Sequence, residues 1–168
     1  MGVKLLRFPH KRIRAHFIKQ YMAQEGKTRA VCFSCGNAAA ELETAGVDVL
    51  HIGAHGVLEP HKWFTQAEIK HIFPDYFDAT SGHLPMELMY ELGQAYAAHL
   101  GKLPETVYVP SGSGETVVCL KLAYPATHFV AVYNRDEATE YSPYCPLNAL
   151  VRVLCDDIVL DGRALVGG

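Results

Sequence analysis

Nowhere in this sequence do apolar residues run far enough to cross a bilayer, so no membrane span is expected. The opening residues, MGVKLLRFPHKRIRAHF, hold no unbroken apolar core. Arg7, His10, Lys11, Arg12 and Arg14 interrupt it, which argues against a secretory leader. Residue 6 is leucine rather than serine or threonine, which argues against myristoylation of Gly2. There is no internal repeat and no low-complexity tract. The five cysteines are an odd number and come without a leader, so a reduced, cytoplasmic protein is expected rather than a disulfide-braced secreted one. Acidic residues are scarce at the N-terminal end. Lys4, Arg7, Lys11, Arg12, Arg14, Lys19, Lys27 and Arg29 are opposed there by Glu25 alone, although the net charge is −3. Such a patch suits a phosphate, a carboxylate or a nucleic acid, and equally a solvated helix face.

What remains reads as one domain of 168 residues with a substantial core. Residues 11–25 predict a basic amphipathic helix with Ile13, Phe17, Ile18, Tyr21 and Met22 on its apolar face and Gly26 at its end. Ala30-Val31-Cys32-Phe33 reads as a buried strand, 38–45 as a helix and 47–53 as a second strand. That alternation predicts an α/β fold, with a parallel or mixed sheet flanked by helices. Residues 65–73 predict a short helix. The clearest helix is 84–102, where Leu84, Leu88, Leu92, Tyr96 and Leu100 form a stripe, Pro85 opens the first turn and Gly101 stops it. ETVYVP and HFVAVYN predict strands, and ALVRVLCDDIVL (149–160) one or two more.

Three stretches carry chemistry. Ser34-Cys35-Gly36-Asn37 stands between a strand and a helix, where backbone amides meet a ligand or where Asn37 simply caps. Ser111-Gly112-Ser113-Gly114-Glu115-Thr116 also follows a strand, and its glycines and hydroxyls can make a nest of amides for phosphate. No Gly-Lys-Ser/Thr follows, so it is not a Walker loop, and its spacing is not that of a dinucleotide fingerprint. A tight turn would use the same glycines. Third, Lys11 opens a helix beside Arg12 and Arg14, where it is either a surface lysine or an amine able to hold an aldehyde cofactor.

Taken in order, these stretches resemble the fold type II pyridoxal-phosphate enzymes. That is the tryptophan synthase beta family, with cysteine synthase, threonine synthase and the serine/threonine dehydratases. FPHKRIRAHFIKQYM lies where that family has its cofactor lysine, FSCGNAAAEL where it has an asparagine turn, and ATSGHLPMELMYELGQAYAAHLGKLPETVYVPSGSGETVVCLKLA where it has its glutamine helix and phosphate loop. The resemblance implies pyridoxal 5'-phosphate as cofactor, linked through Lys11. It implies that Asn37 bonds the cofactor ring and that Ser111, Gly112, Ser113, Gly114 and Thr116 bind its phosphate. Ser142 (or Cys145) would face the pyridine nitrogen, and Ser34, Cys35 and His83 would lie on the substrate side. It further implies a strongly shortened member whose mobile domain is reduced to an insert around 53–78. The chemistry implied is at the α carbon of an amino acid, as a lyase by elimination, replacement or decarboxylation, in a homodimer. An amino acid carried on a nucleic acid is a conceivable substrate for the basic N-terminal segment.

Two other classes fit parts of the sequence. His51, His55, Glu59 and His61 cluster in HIGAHGVLEPH and, with Cys32 and Cys35, would suit a metal-dependent hydrolase, although no second cysteine pair is near. A non-catalytic binding module would use the basic first helix, and its affinity for nucleic acid would fall steeply with salt.

Overall fold

A computed structural model describes residues 3–32, 37–51, 66–79, 84–133 and 147–159. In chain order the elements are β1 (Val3–Leu5), α1 (His10–Glu25), β2 (Arg29–Cys32), α2 (Asn37–Thr44), β3 (Val49–His51), α3 (Gln66–Ile72), β4 (Tyr76–Asp78), α4 (Met86–Leu100), β5 (Thr106–Pro110), α5 (Glu115–Ala123), β6 (His128–Val132), α6 (Leu147–Leu154) and β7 (Asp157–Val159). Every strand pairing among the described residues is parallel, as expected of alternating strands and helices. The chain divides into two compact units, Met1–Phe8 with Pro85–Gly168, and Pro9–Leu84. No helix among the described residues is long and apolar enough to cross a membrane.

The first unit is built on a sheet of order β1-β5-β6-β7. Thr106 is in register with Val3 on one side and His128 on the other. Val107, Phe129 and Ala131 are fully buried in it. Helix α4 lies on α5, and α5 on α6. Leucines four apart put Leu88, Leu92 and Tyr96 on one buried face of α4, and Leu84 is buried just ahead of it. The edge of the Phe8 ring meets Tyr96 with centroids 5.2 Å apart. Pro85 is the N-cap of α4 and Gly101 its C-cap.

One expectation is corrected here. Residues 149–160, read as strands, form the end of α6 and then β7. The β-branched valines suggested strand, yet burial follows the helical spacing. Val151 and Cys155 are buried four residues apart, while Arg152 and Val153 face solvent. The turn into β7 is held by Asp156, whose carboxylate accepts the Phe129 N–H at 2.8 Å and the Lys121 ammonium at 3.0 Å. Burial alone would raise the acid's pKa. The Phe129 amide and Lys121 outweigh it and hold Asp156 below the usual aspartate value. A depressed folded-state pKa stabilises above the unfolded value of about 3.9 and is lost as pH falls through the folded one. Asp156→Asn is therefore expected to cost about 1 kcal/mol near neutrality. Urea titrations at neutral and strongly acidic pH should show the gap to wild type closing in acid.

The second unit has a sheet of order β3-β2-β4, with β2 in the middle. On one face α1 and α2 pack together over Ala30, Cys32 and Ala79, contributing Ala15, Ile18, Met22, Ala39 and Leu42. On the other, Val31 is covered by Leu50, Phe73 and Tyr76. Helix α1 has neither proline nor glycine inside it, and it ends where Gly26 turns left-handed at φ 68°. Of its expected apolar face, Ile18 and Met22 are buried, and the Tyr21 ring tilts onto Phe77. Lys19 Nζ donates to the Ala45 carbonyl at 2.7 Å, at the end of α2, where a cation is favoured.

Candidate functional site

In the first unit, β5 delivers the chain into residues 111–114 and α5 takes it away. The carboxyl end of a parallel strand, followed by a helix N-terminus, is where open α/β sheets present amides to ligands. The structure sorts the residues of this turn by what they do. The Ser111 N–H donates to the Val132 carbonyl at 2.8 Å, and its hydroxyl to the Val109 carbonyl at 3.0 Å. Ser111 is buried, and both its donors are committed to holding the start of the β5-to-α5 turn, one of them against the end of β6.

Gly114 is held at φ +88° as the N-cap of α5 and brings no side-chain cap. A Cβ there would lie 2.5 Å from Val151 Cγ2 and 2.9 Å from the Tyr133 hydroxyl oxygen. Internal packing and backbone sign therefore both require this glycine. Gly112 is not among the described glycines of positive φ, so its own backbone places no such demand. The Glu115 N–H points to Ser113 Oγ at 3.4 Å, and Thr116 is the second residue of the helix, half-buried. Gly112, Ser113, Gly114 and Thr116 thus stand together between the carboxyl end of β5 and the first turn of α5, at the positive end of that helix. One charge opposes it. Glu115 is 3% exposed at the first helical position, where its carboxylate competes for the same positive helix end.

In the second unit, Lys11 occupies the first turn of α1 and is half-buried. Helical spacing puts it three residues before Arg14 and four before Ala15, on the inward stripe, whereas Arg12 is exposed. Arg14 belongs to the basic N-terminal patch that reads either as an anion site or as a solvated helix face. It is instead 4% exposed, and its Nη2 donates to the Ala79 carbonyl at 3.2 Å. The sequence held a signal for this, since Arg14 falls on the 14–18–22 stripe that carries Ile18 and Met22. The Cys32 thiol lies within reach of the same charge. Burial pushes it up to about 11, Arg14 opposes the rise, and Asp78 and Glu43 add to it. At neutral pH it is a protonated packing group.

Asn37 begins α2 and His51 ends β3. Ser34, Cys35, His55, Glu59, His61, His83, Ser142 and Cys145 lie outside the described residues. Among the described residues no group of three or more His, Cys, Asp or Glu could hold a metal ion. The flanks of two candidate stretches are nonetheless fixed. Cys32 precedes the stretch Ser34–Asn37, Ala79 precedes the stretch with His83, and both stand at the carboxyl ends of neighbouring parallel strands.

The fold is shared with a solved threonine deaminase. The crystal structure of the T.th. enzyme matches with a TM-score of 0.56 over 93% of this chain, at 16% sequence identity. The match covers 66% of that chain, so this protein spans just under two thirds of its length. At this identity the likeness is one of fold. No protein-family model matches the sequence, and no curated protein does.

Proposed function

We propose that this protein binds pyridoxal 5'-phosphate and acts at the α carbon of an amino acid, most simply as a lyase. The observation that carries the reading is the glycine-bearing turn from the carboxyl end of β5 into the N-terminus of α5, a place that suits a phosphate, in a fold shared with a threonine deaminase. The motif order of the sequence supports the same conclusion. Bound pyridoxal phosphate would supply an electron sink for bond breaking at the substrate α carbon. Gly112, Ser113, Gly114 and Thr116 hold the phosphate, and Ser111 keeps their turn in shape. Lys11 would hold the cofactor and would supply the amine that moves a proton at the α carbon. Asn37 bonds the cofactor ring, Ser34, Cys35 and His83 receive the substrate, and Ser142 faces the pyridine nitrogen. A second copy of the chain completes the site in a homodimer.

The test is an absorbance spectrum of the protein with pyridoxal phosphate before and after borohydride, followed by peptide mapping. A visible band that borohydride fixes onto Lys11 is expected. Lys11→Ala should reduce the fixed label about tenfold or more. A flat spectrum, or a label indifferent to the mutation, would refute the assignment.

A further inference from the structure

Arg14 is the one buried cation that the proposed chemistry leaves unused among the described residues. Burying a guanidinium costs solvation, and the rest of the stripe it occupies is alanine, isoleucine and methionine. A leucine there would continue the apolar face. The charge is directed at a particular point. Ala79, fully buried, donates its own N–H to the Val31 carbonyl at 2.9 Å and accepts from Arg14 through its carbonyl. The residue that Arg14 grips is thus itself locked into the sheet at the carboxyl end of β4. Helical side chains lean toward the N-terminus, so the long Arg14 chain covers the turn that carries Lys11.

We propose that Arg14 is a positioning residue that fixes the first turn of α1, and with it the Lys11 amine, against the carboxyl ends of β2 and β4. Its relevance to catalysis rests on the cofactor reading above, while the grip itself does not. Arg14 draws three things together at one end of this unit: the Lys11 turn, the exit of β2 toward Ser34–Asn37, and the exit of β4 toward His83. An arginine suits this better than a lysine, because its planar fork presents several donors in fixed directions to a carbonyl-rich strand end.

The test uses the full-length protein with Arg14→Met and Arg14→Lys, first without cofactor. Acylation of Lys11 by an amine-reactive ester is measured relative to Lys27, with hydrogen exchange read peptide by peptide. In Arg14→Met, Lys11 labelling relative to Lys27 is expected to rise about fivefold, and exchange in the first turn of α1 about tenfold, with α4 unchanged. Arg14→Lys should fall between Arg14→Met and wild type. With pyridoxal phosphate added, the concentration that half-saturates the borohydride-fixed label should rise about tenfold in Arg14→Met. A uniform change across all peptides, or a wild-type labelling ratio, would overturn the positioning role. Should Arg14→Met not fold, Arg14→Lys decides on the same ratio: a selective rise supports the role and none removes it. A wild-type protein that forms no borohydride-fixed label would defeat the cofactor reading by itself, since the labelling and exchange need no cofactor.

Discussion

Gly93→Ala is expected to lower unfolding free energy by about 3 kcal/mol, or to stop the protein folding. Intrinsic preference points the other way, because alanine in a helix interior is favoured over glycine by about 1 kcal/mol. The contact between helices decides the sign. A Cβ on Gly93 would stand 2.2 Å from the Cys119 carbonyl oxygen and 3.1 Å from its carbon, with Ala123 Cβ at 3.4 Å. The obstacle is backbone in the middle of α5, so no rotamer change relieves it. Helices α4 and α5 would have to separate, loosening fully buried Leu92, Val117 and Leu120 together. A urea midpoint well below wild type with an unchanged slope is the expected record. An unchanged or raised midpoint would show that the two helices do not approach this closely.

Gly114→Ala should be comparably severe, and for two reasons that add. Alanine held at φ +88° costs about 1–2 kcal/mol in backbone energy. Its methyl would also meet Val151, which is fully buried on α6. The expected loss is about 3 kcal/mol, and under the proposed cofactor reading pyridoxal phosphate binding should be lost with it. Gly112→Ala separates structure from ligand. Without a positive φ to satisfy, alanine at 112 meets none of the backbone penalty that it meets at 114. Under the proposed cofactor reading it should still weaken binding, because the added methyl would crowd the amides assigned to the phosphate. Thermal melts paired with cofactor titration of the two variants would show this. Equal retention of binding in both would mean that the turn serves packing alone.

Why the turn at 111–114 was legible in sequence, and other parts were not, follows from the forces involved. Glycines between a strand and a helix mark a backbone need that is local, and local needs show in a single sequence. So do the leucine stripe of α4 and the glycine stops after α1 and α4, which are periodic or steric signals. The α6 segment failed because Val151 and Val153 favour strand locally, while the burial of Val151 and Cys155 imposes a helix through contacts from elsewhere. Strands β1 and β4, three residues each, are too short to show an alternation and exist through their partners β5 and β2. The burial of Arg14 had a periodic signal, but its charge argued for the surface, and the compensating Ala79 carbonyl lies 65 residues away.

That long-range bond also bears on the order of folding. Strand β1 leaves synthesis well before its partner β5, which follows only after the whole of Pro9–Leu84. Closing a flexible loop ten times longer costs about 2 kcal/mol more in chain entropy, so a strand waiting on a distant partner is slow to pair. The Arg14–Ala79 bond joins points five residues inside either end of the intervening unit. Once that unit has closed on itself, the residues flanking it are connected by a short tether in place of a long coil. The inserted unit would then act as its own staple, and β1 could be captured late at little entropic cost.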